Sequence, residues 1–382
     1  MFNPTLIVIE AFINELRAMY ERTYSTLEPS YPGIISFIAQ LALETIATSD
    51  AAYHDVNHTI LVTSVGQEIL RGRHISIGGV TPRDWLHFIV SLLCHDIGYV
   101  RGICRGDGDG RYVTNLAGEK VSVPEGATDA AMAPYHIVRS RLFVRERFTK
   151  AALIDLDIGE VEANIEHTRF PVPEAEQHAP TDDFPGLLRA ADLIGQLADI
   201  NYLRKTPALF NEFRETGFVE KLQYKTPADL RTNYPTFFWQ MVQPYIGDAL
   251  RYLRVTQEGQ QWVANLYANV FLMEHWQADN FGRSLGTSPP TRWSSFDRLD
   301  SGFAFFAIRH SRAIKNSRTN ARSPRPAMSA RQVPTDSSAL QFVYLVEAQR
   351  RSECNVAYSE LGHFRFFNRD RFGRFIRRLS HS

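Results

Sequence analysis

Two histidines four residues apart, in Tyr53-His54-Asp55-Val56-Asn57-His58, open the set of residues whose types and spacing could do chemistry. On a helix that spacing puts both imidazoles on one face, about one turn apart. They can then serve one site as two ligands, or as one ligand and one acid. The same spacing also arises by chance in helices, so the pair alone decides nothing. A second segment, Leu92-Leu93-Cys94-His95-Asp96-Ile97-Gly98, delivers a histidine and an aspartate together at the end of an apolar run. Burying both costs free energy unless they find partners. A divalent cation satisfies neutral imidazole and carboxylate at once; a hydrogen bond to a neighbour is the plainer alternative. Three single residues follow. His136 stands after Pro134-Tyr135, His167 lies shortly before Pro171, and Asp192 sits inside the apolar run 187–194. A buried aspartate is rare unless paired or metal-bound, and Arg189 offers Asp192 an ordinary salt bridge.

These residues need elements to hold them. Apolar residues at helical spacing through 34–46 predict a helix started by Pro32-Gly33. A second helix, from about 53 to 70, carries His54 and His58. A third starts at Thr81-Pro82, with threonine as cap and proline in the first turn, and continues through Trp85, Phe88, Leu92 and Leu93 to Gly98. Residues 101–128 break the pattern with the turns 106–110 and 117–120 and a short hairpin through Arg111-Tyr112-Val113. The stretch Gly106-Asp107-Gly108-Asp109-Gly110 reads as a rim or lid loop. It lacks the acidic residue that closes a calcium loop, and no strand–glycine–helix context makes it a phosphate loop. Helical spacing resumes over 129–148, 158–168, 186–203, 206–216, 236–253 and 258–275. Strand-like alternation is scarce, so the expected fold class is all-α.

The composition, 44% hydrophobic and 22% charged, is that of a soluble globular protein. Cys94, Cys104 and Cys354 form no CxxC pair and no even framework, which argues against a disulfide scaffold and for a reducing compartment. Glu10, Glu15 and Arg17 interrupt the apolar N-terminal stretch, and no basic region precedes it, so no signal peptide is expected. The apolar stretch 88–94 is far short of the roughly 20 residues of a membrane span. The expected location is the cytoplasm. A net charge of zero hides a division: from Gly286 onward there are 17 Lys and Arg against 7 Asp and Glu, and before it 25 against 35. Residues 1–285 therefore read as the helical domain. Residues 286–382 read as a basic tail of disordered composition, either a solvated extension or a binder of polyanions.

Taken in order, the segments read His, His-Asp, His, His, Asp on successive helices. That ordered set resembles the HD superfamily of metal-dependent phosphohydrolases. The opening Tyr53-His54-x-x-x-His58 and the later Ala191-Asp192-Leu193 are similar to the cyclic-nucleotide phosphodiesterases. His95-Asp96-Ile97-Gly98, followed by single histidines on the next two helices, is also similar to the HD-GYP cyclic-dinucleotide branch. The resemblance covers residues 50–205 by motif and implies a phosphodiesterase-like helical bundle reaching to about 285. It implies His58, His95, Asp96 and Asp192 as ligands of a main metal, and His54 as the acid that protonates the leaving oxygen. His136 and His167 would hold or approach a second ion, with Asp96 bridging the two. The cofactor expected is one or two divalent ions: Zn, Mg, Mn or Fe.

Arg101 and Arg169 each follow a motif closely and are candidates to pair with a substrate phosphate, surface ion pairs being the ordinary alternative. The chain departs from both branches. Tyr99 stands where the phosphodiesterases complete HDxxH with histidine and the HD-GYP branch has lysine. Thr168-Arg169-Phe170-Pro171 contains no Gly-Tyr-Pro. The expected function is metal-dependent hydrolysis of a small-molecule phosphoester, a nucleotide or 3',5'-cyclic nucleotide, with His54 and Asp96 as the catalytic pair. The alternatives are another phosphate or polyphosphate substrate, an oxygenase if iron binds, and a degenerate HD domain that signals through the basic tail.

Overall fold

The computed structural model of the chain describes residues 2–284 apart from 152 and 154, with side chains through 276. The expected basic tail, 286–382, and the boundary at 285 lie outside the described residues. Helix α1 (Pro4–Tyr24) packs on α2 (Tyr31–Ile46). The first of these is not among the helices expected, although Ile9, Phe12, Leu16, Met19 and Tyr20 are buried at helical spacing along it. Helix α3 (Val56–Ile77) is the centre of the bundle; capped by Asp55, it begins two residues after His54, so of the two histidines expected on one helix face only His58 lies on it. From Val62 to Leu70 every residue except Ser64 is buried, polar ones included, the mark of a helix covered on all sides. It packs against α4 (Pro82–Cys94), and both receive the later helices.

The third helix starts as the sequence predicts. Thr81 Oγ1 accepts the Asp84 N–H, and the Asp84 carboxylate accepts the Thr81 N–H. All ten residues from Trp85 to Cys94 are buried. The helix ends at Cys94 rather than Gly98, because Asp96 leaves helical conformation (φ −106°, ψ 2°) and the chain tightens into a 3-10 turn over Ile97–Tyr99. The next helix explains why glycine stands in that turn. A Cβ on Gly98 would collide with the main-chain carbonyl of His136.

The hairpin is present: β1 (Arg111–Val113) pairs antiparallel with β2 (Lys120–Ser122), Arg111 opposite Ser122. The helix expected over 129–148 is divided. A 3-10 turn covers Asp129–Met132, and α5 (His136–Phe148) begins only after Pro134, which has no N–H to carry a helical hydrogen-bond ladder through the break. Six helices and one short turn of helix complete the described chain: α6 (Ile158–Glu166), α7 (Phe184–Leu197), α8 (Tyr202–Glu215), α9 (Phe218–Leu222), α10 (Pro227–Phe237), α11 (Gln243–Leu253) and α12 (Gln257–Ser284). The helix expected over 236–253 is interrupted by a π-helical turn at Phe238–Val242. Among the described residues the all-α class holds, with only the two-stranded hairpin beside the helices. No described helix is long and apolar enough to cross a membrane.

Two packing features aim residues at one place. Where α7 crosses α3, a Cβ on Gly195 would come within 2.6 Å of Val62 Cα. The absence of a side chain there lets the helices touch one turn from Asp192 and one turn from His58. The second feature is Arg139 on α5, which is wholly buried. It donates from Nε to the Gly98 carbonyl (2.8 Å), from one terminal nitrogen to Val113 (2.8 Å) and from the other to Val100 (2.8 Å). Both terminal nitrogens also reach the Asp107 carboxylate, at 3.1 and 2.9 Å. The glycine-rich loop is therefore pinned to the turn after His95-Asp96 through a buried ion pair.

Candidate metal centre

His58, in the first turn of α3, is oriented by its own helix start. The Asp55 carboxylate caps α3 by accepting the His58 N–H at 2.8 Å. His95, just past α4, is oriented by a hydrogen bond from Nδ1 to the Leu92 carbonyl (2.7 Å), so the neutral ring carries its lone pair on Nε2. Both Nε2 atoms converge on two carboxylates. His58 Nε2 lies 3.1 Å from Asp96 Oδ2 and 3.6 Å from Asp192 Oδ1; His95 Nε2 lies 3.2 and 3.6 Å from the same atoms. Close as they are, neither nitrogen is aligned for a hydrogen bond, and both are buried without a partner. Nitrogen and oxygen atoms of His58, His95 and Asp192 all lie within 4.8 Å of one another, and so do those of His54, His58 and Asp96.

That arrangement fits a cation. A buried polar atom left without a hydrogen bond costs about 1–3 kcal/mol, and here two such atoms point at the same pair of carboxylates. An ion between them would satisfy all four groups. Two imidazoles and two carboxylates form a mixed nitrogen–oxygen set that suits Zn, Fe or Mn better than Mg. The protonation pattern follows from the same charges. Burial alone would favour neutral Asp96, but His95, with His58 and His54 nearby, holds its carboxyl well below the usual range. Burial also disfavours a charged His95 ring, yet Asp96 and Asp192 push its pKa well up. A bound cation would take the place of that proton.

His136, the first residue of α5, reaches the other carboxylate oxygen, with Nε2 3.7 Å from Asp96 Oδ1. Its Nδ1 lies 2.6 Å from the Ala133 carbonyl, and burial pushes its pKa down. His54 approaches from the opposite flank. Its Nδ1 meets Glu212 Oε2 at 2.6 Å, while Glu212 Oε1 accepts the N–H groups of Tyr53 (2.6 Å) and His54 (3.3 Å). Burial works against a charged His54, but the Glu212 carboxylate outweighs it and raises the pKa to about 9. Glu212 itself is raised by burial and lowered by more through His54 and the two N–H groups. Sequence reasoning missed Glu212. Its signal was an acid one turn after Leu209, on the buried face of α8.

Tyr99 fills the space between the two outer histidines. Its ring stacks on His54 (centroids 4.3 Å apart, planes at 12°) and, on its other face, on His136 (4.6 Å, 25°). Side-chain exposure shows which way the site opens. His95 and His58 are 0% and 4% exposed, whereas Asp192 and His136 are each 20% and His54 14%. The centre is thus more open to solvent at Asp192, His136 and His54 than at His58 and His95.

Three candidates are not brought to this centre. His167 has Nδ1 and Nε2 each 3.0 Å from a main-chain carbonyl, those of Ala163 and Gln177, and its ring packs on His178. Neither nitrogen is free for a second ion. Arg101 is committed to Asp129 (2.5 Å), Asp50 (3.1 Å) and the Ala127 carbonyl, and Arg169 to Glu166 (2.6 Å). Each arginine stands in the ion pair that was its ordinary alternative. His87 is structural: its Nε2 accepts the Asp157 N–H at 2.8 Å and its Nδ1 faces the Arg83 carbonyl.

Comparison with known proteins gives one positive finding. A family model described as Npun_R2479-like matches residues 2–276, which takes in every residue of the centre. No curated protein and no solved structure matches the chain. With the match spanning the whole described bundle through most of α12, the chain belongs to the Npun_R2479-like family.

Proposed function

We propose that the chain is a metal-dependent phosphohydrolase of the HD type, acting on a phosphoester of a nucleotide or 3',5'-cyclic nucleotide. One observation carries the reading: two buried imidazole nitrogens without hydrogen bonds, those of His58 and His95, converge on the carboxylates of Asp96 and Asp192. The phosphoester substrate rests on the likeness of Tyr53-His54-x-x-x-His58, His95-Asp96 and Ala191-Asp192-Leu193 to the phosphodiesterases.

His58, His95, Asp96 and Asp192 would hold the ion. A divalent ion bound there supplies neutralisation of phosphoryl charge and an acidified water. The protein supplies the rest. Asp96 turns one oxygen toward His58 and His95 and the other toward His136, which fixes it at the middle of the site. Glu212 occupies His54 Nδ1 and favours the charged ring. His54 Nε2 is then the nitrogen that delivers a proton to the leaving oxygen. Burial pushes the His136 pKa down, and its Nε2 faces the second oxygen of Asp96.

The test uses two substrates, bis-p-nitrophenyl phosphate and a 3',5'-cyclic nucleotide, with Mn, Zn or Fe(II) supplied. Asp96→Ala is expected to lose metal and both activities. His54→Ala is expected to keep metal and lose roughly 10²- to 10⁴-fold on the cyclic nucleotide, the usual contribution of an acid. A metal-loaded wild type inactive on a broad phosphoester panel would overturn the reading.

A further inference from the structure

The residue that departs most plainly from the HD pattern, Tyr99, stacks on both outer histidines. Its hydroxyl lies 3.5 Å from His54 Nε2. With the two rings only 12° from parallel, that hydroxyl sits over the imidazole face rather than in its plane. The N–H of His54 Nε2 points along the ring plane, so Tyr99 does not consume it. Glu212 holds His54 at one atom, Nδ1, and a single hydrogen bond leaves a ring free to rock about its axis. A flat aromatic face at 4.3 Å removes that freedom. The opposite face of Tyr99 does the same for His136 at 4.6 Å. Tyr99 cannot shift to relieve either contact, because it closes the 3-10 turn fixed by Gly98 against α5, and the residue is buried.

We propose that Tyr99 is a positioning residue: clamped between His54 and His136, it holds His54 Nε2 in line with the leaving oxygen of a phosphoester seated over Asp96. The proposal rests on the phosphohydrolase reading for its catalytic consequence, but not for the clamp. Two predictions separate them. Tyr99→Phe keeps both stacked faces, and Tyr99→Leu keeps bulk without an aromatic face. A stacked aromatic pair contributes about 0.5–1.5 kcal/mol, so releasing the ring lowers the fraction of correctly placed His54 about 2- to 10-fold.

The readouts are metal content, kcat and KM on two substrates, and the imidazole signals of the full chain labelled with ¹⁵N-histidine. Tyr99→Leu is expected to keep its metal and to turn over bis-p-nitrophenyl phosphate near the wild-type rate, since nitrophenolate departs unprotonated. On the cyclic nucleotide, whose alkoxide needs a proton, it loses kcat about 2- to 10-fold with KM little changed. Tyr99→Phe restores kcat. The ring-current shifts of His54 and His136 vanish in Tyr99→Leu and persist in Tyr99→Phe. Equal losses on both substrates, a Phe variant as slow as Leu, or unchanged imidazole shifts in Leu would each overturn the proposal. If the imidazole shifts behave as expected while the metal-loaded wild type hydrolyses neither substrate nor any member of a broad phosphoester panel, the clamp stands and the phosphohydrolase reading fails.

Discussion

Two clusters of buried charge lie on either side of the turn at Ile97–Tyr99, and they differ in how they are satisfied. On one side, Arg139 spends all its donors on three carbonyls and Asp107, and Asp107 accepts further N–H groups from Gly102 and Val113 at 3.0 and 2.8 Å. On the other, His58 and His95 bring two nitrogens to two carboxylates and leave both without a hydrogen bond. The contrast teaches how to tell architecture from function among buried polar groups. A cluster whose every donor has its acceptor is complete as it stands. A cluster whose donors and acceptors face one point without pairing is shaped for something placed at that point.

Substitutions can break this comparison. The largest effect is expected at Asp96. Asp96→Ala should lower metal affinity by more than the roughly 10- to 100-fold typical of losing a group that merely supports a ligand, with activity falling to background in a steady-state assay. Next comes Arg139→Ala, which strands Asp107 without its partner. Removing one member of a buried pair costs about 3–5 kcal/mol, readable by urea denaturation. The variant should still bind metal wherever it is folded. A result in which Arg139→Ala abolishes binding in the folded state, or Asp96→Ala destabilises as much as Arg139→Ala, would erase the distinction between the two clusters.

A smaller effect sharpens it. Metal at about 100 times its Kd should raise the unfolding free energy by about 2.7 kcal/mol in the wild type and Asp107→Asn, and not in Asp96→Ala. The smallest is a pH effect at Asp107. Burial would raise its pKa, but Arg139 and the surrounding N–H groups lower it below the usual carboxylate value. A folded-state pKa below the unfolded one contributes stability that is present above the unfolded value of about 3.9 and lost as the pH falls through the folded one. The stability gap between wild type and Asp107→Asn should therefore be constant at neutral pH and shrink below about pH 4. A gap that grows on acidification would contradict the assignment.

Much of this was legible in the sequence, for identifiable reasons. The start of α4 was written in Thr81-Pro82, because capping is local chemistry. The pairing of His54 with His58, and the isolation of Asp192 in an apolar run, marked buried polar groups that the fold then brings together with His95 and Asp96. What stayed hidden depends on contacts between distant segments. Glu212 reaches His54 from 158 residues away, and nothing in its neighbours names that partner. The end of α4 at Cys94 was missed because the chain leaves the helix at Asp96 and tightens into the turn Ile97–Tyr99, where Gly98 lies against the His136 carbonyl, a tertiary contact. His167 is the reverse case. Its place in the order of motifs looked right, but the ring is held by carbonyls of its own helix and of the turn at Glu176–His178.

The central claim is that His58, His95, Asp96 and Asp192 hold a divalent cation, and metal stoichiometry measures it most directly. Elemental analysis of the full chain after saturation with Mn, Zn or Fe(II) and removal of free ion should find at least one ion per chain. His58→Ala and His95→Ala should each lose it while remaining folded by circular dichroism. A wild-type chain that retains no ion, or a His95→Ala chain that retains as much as the wild type, would contradict the account.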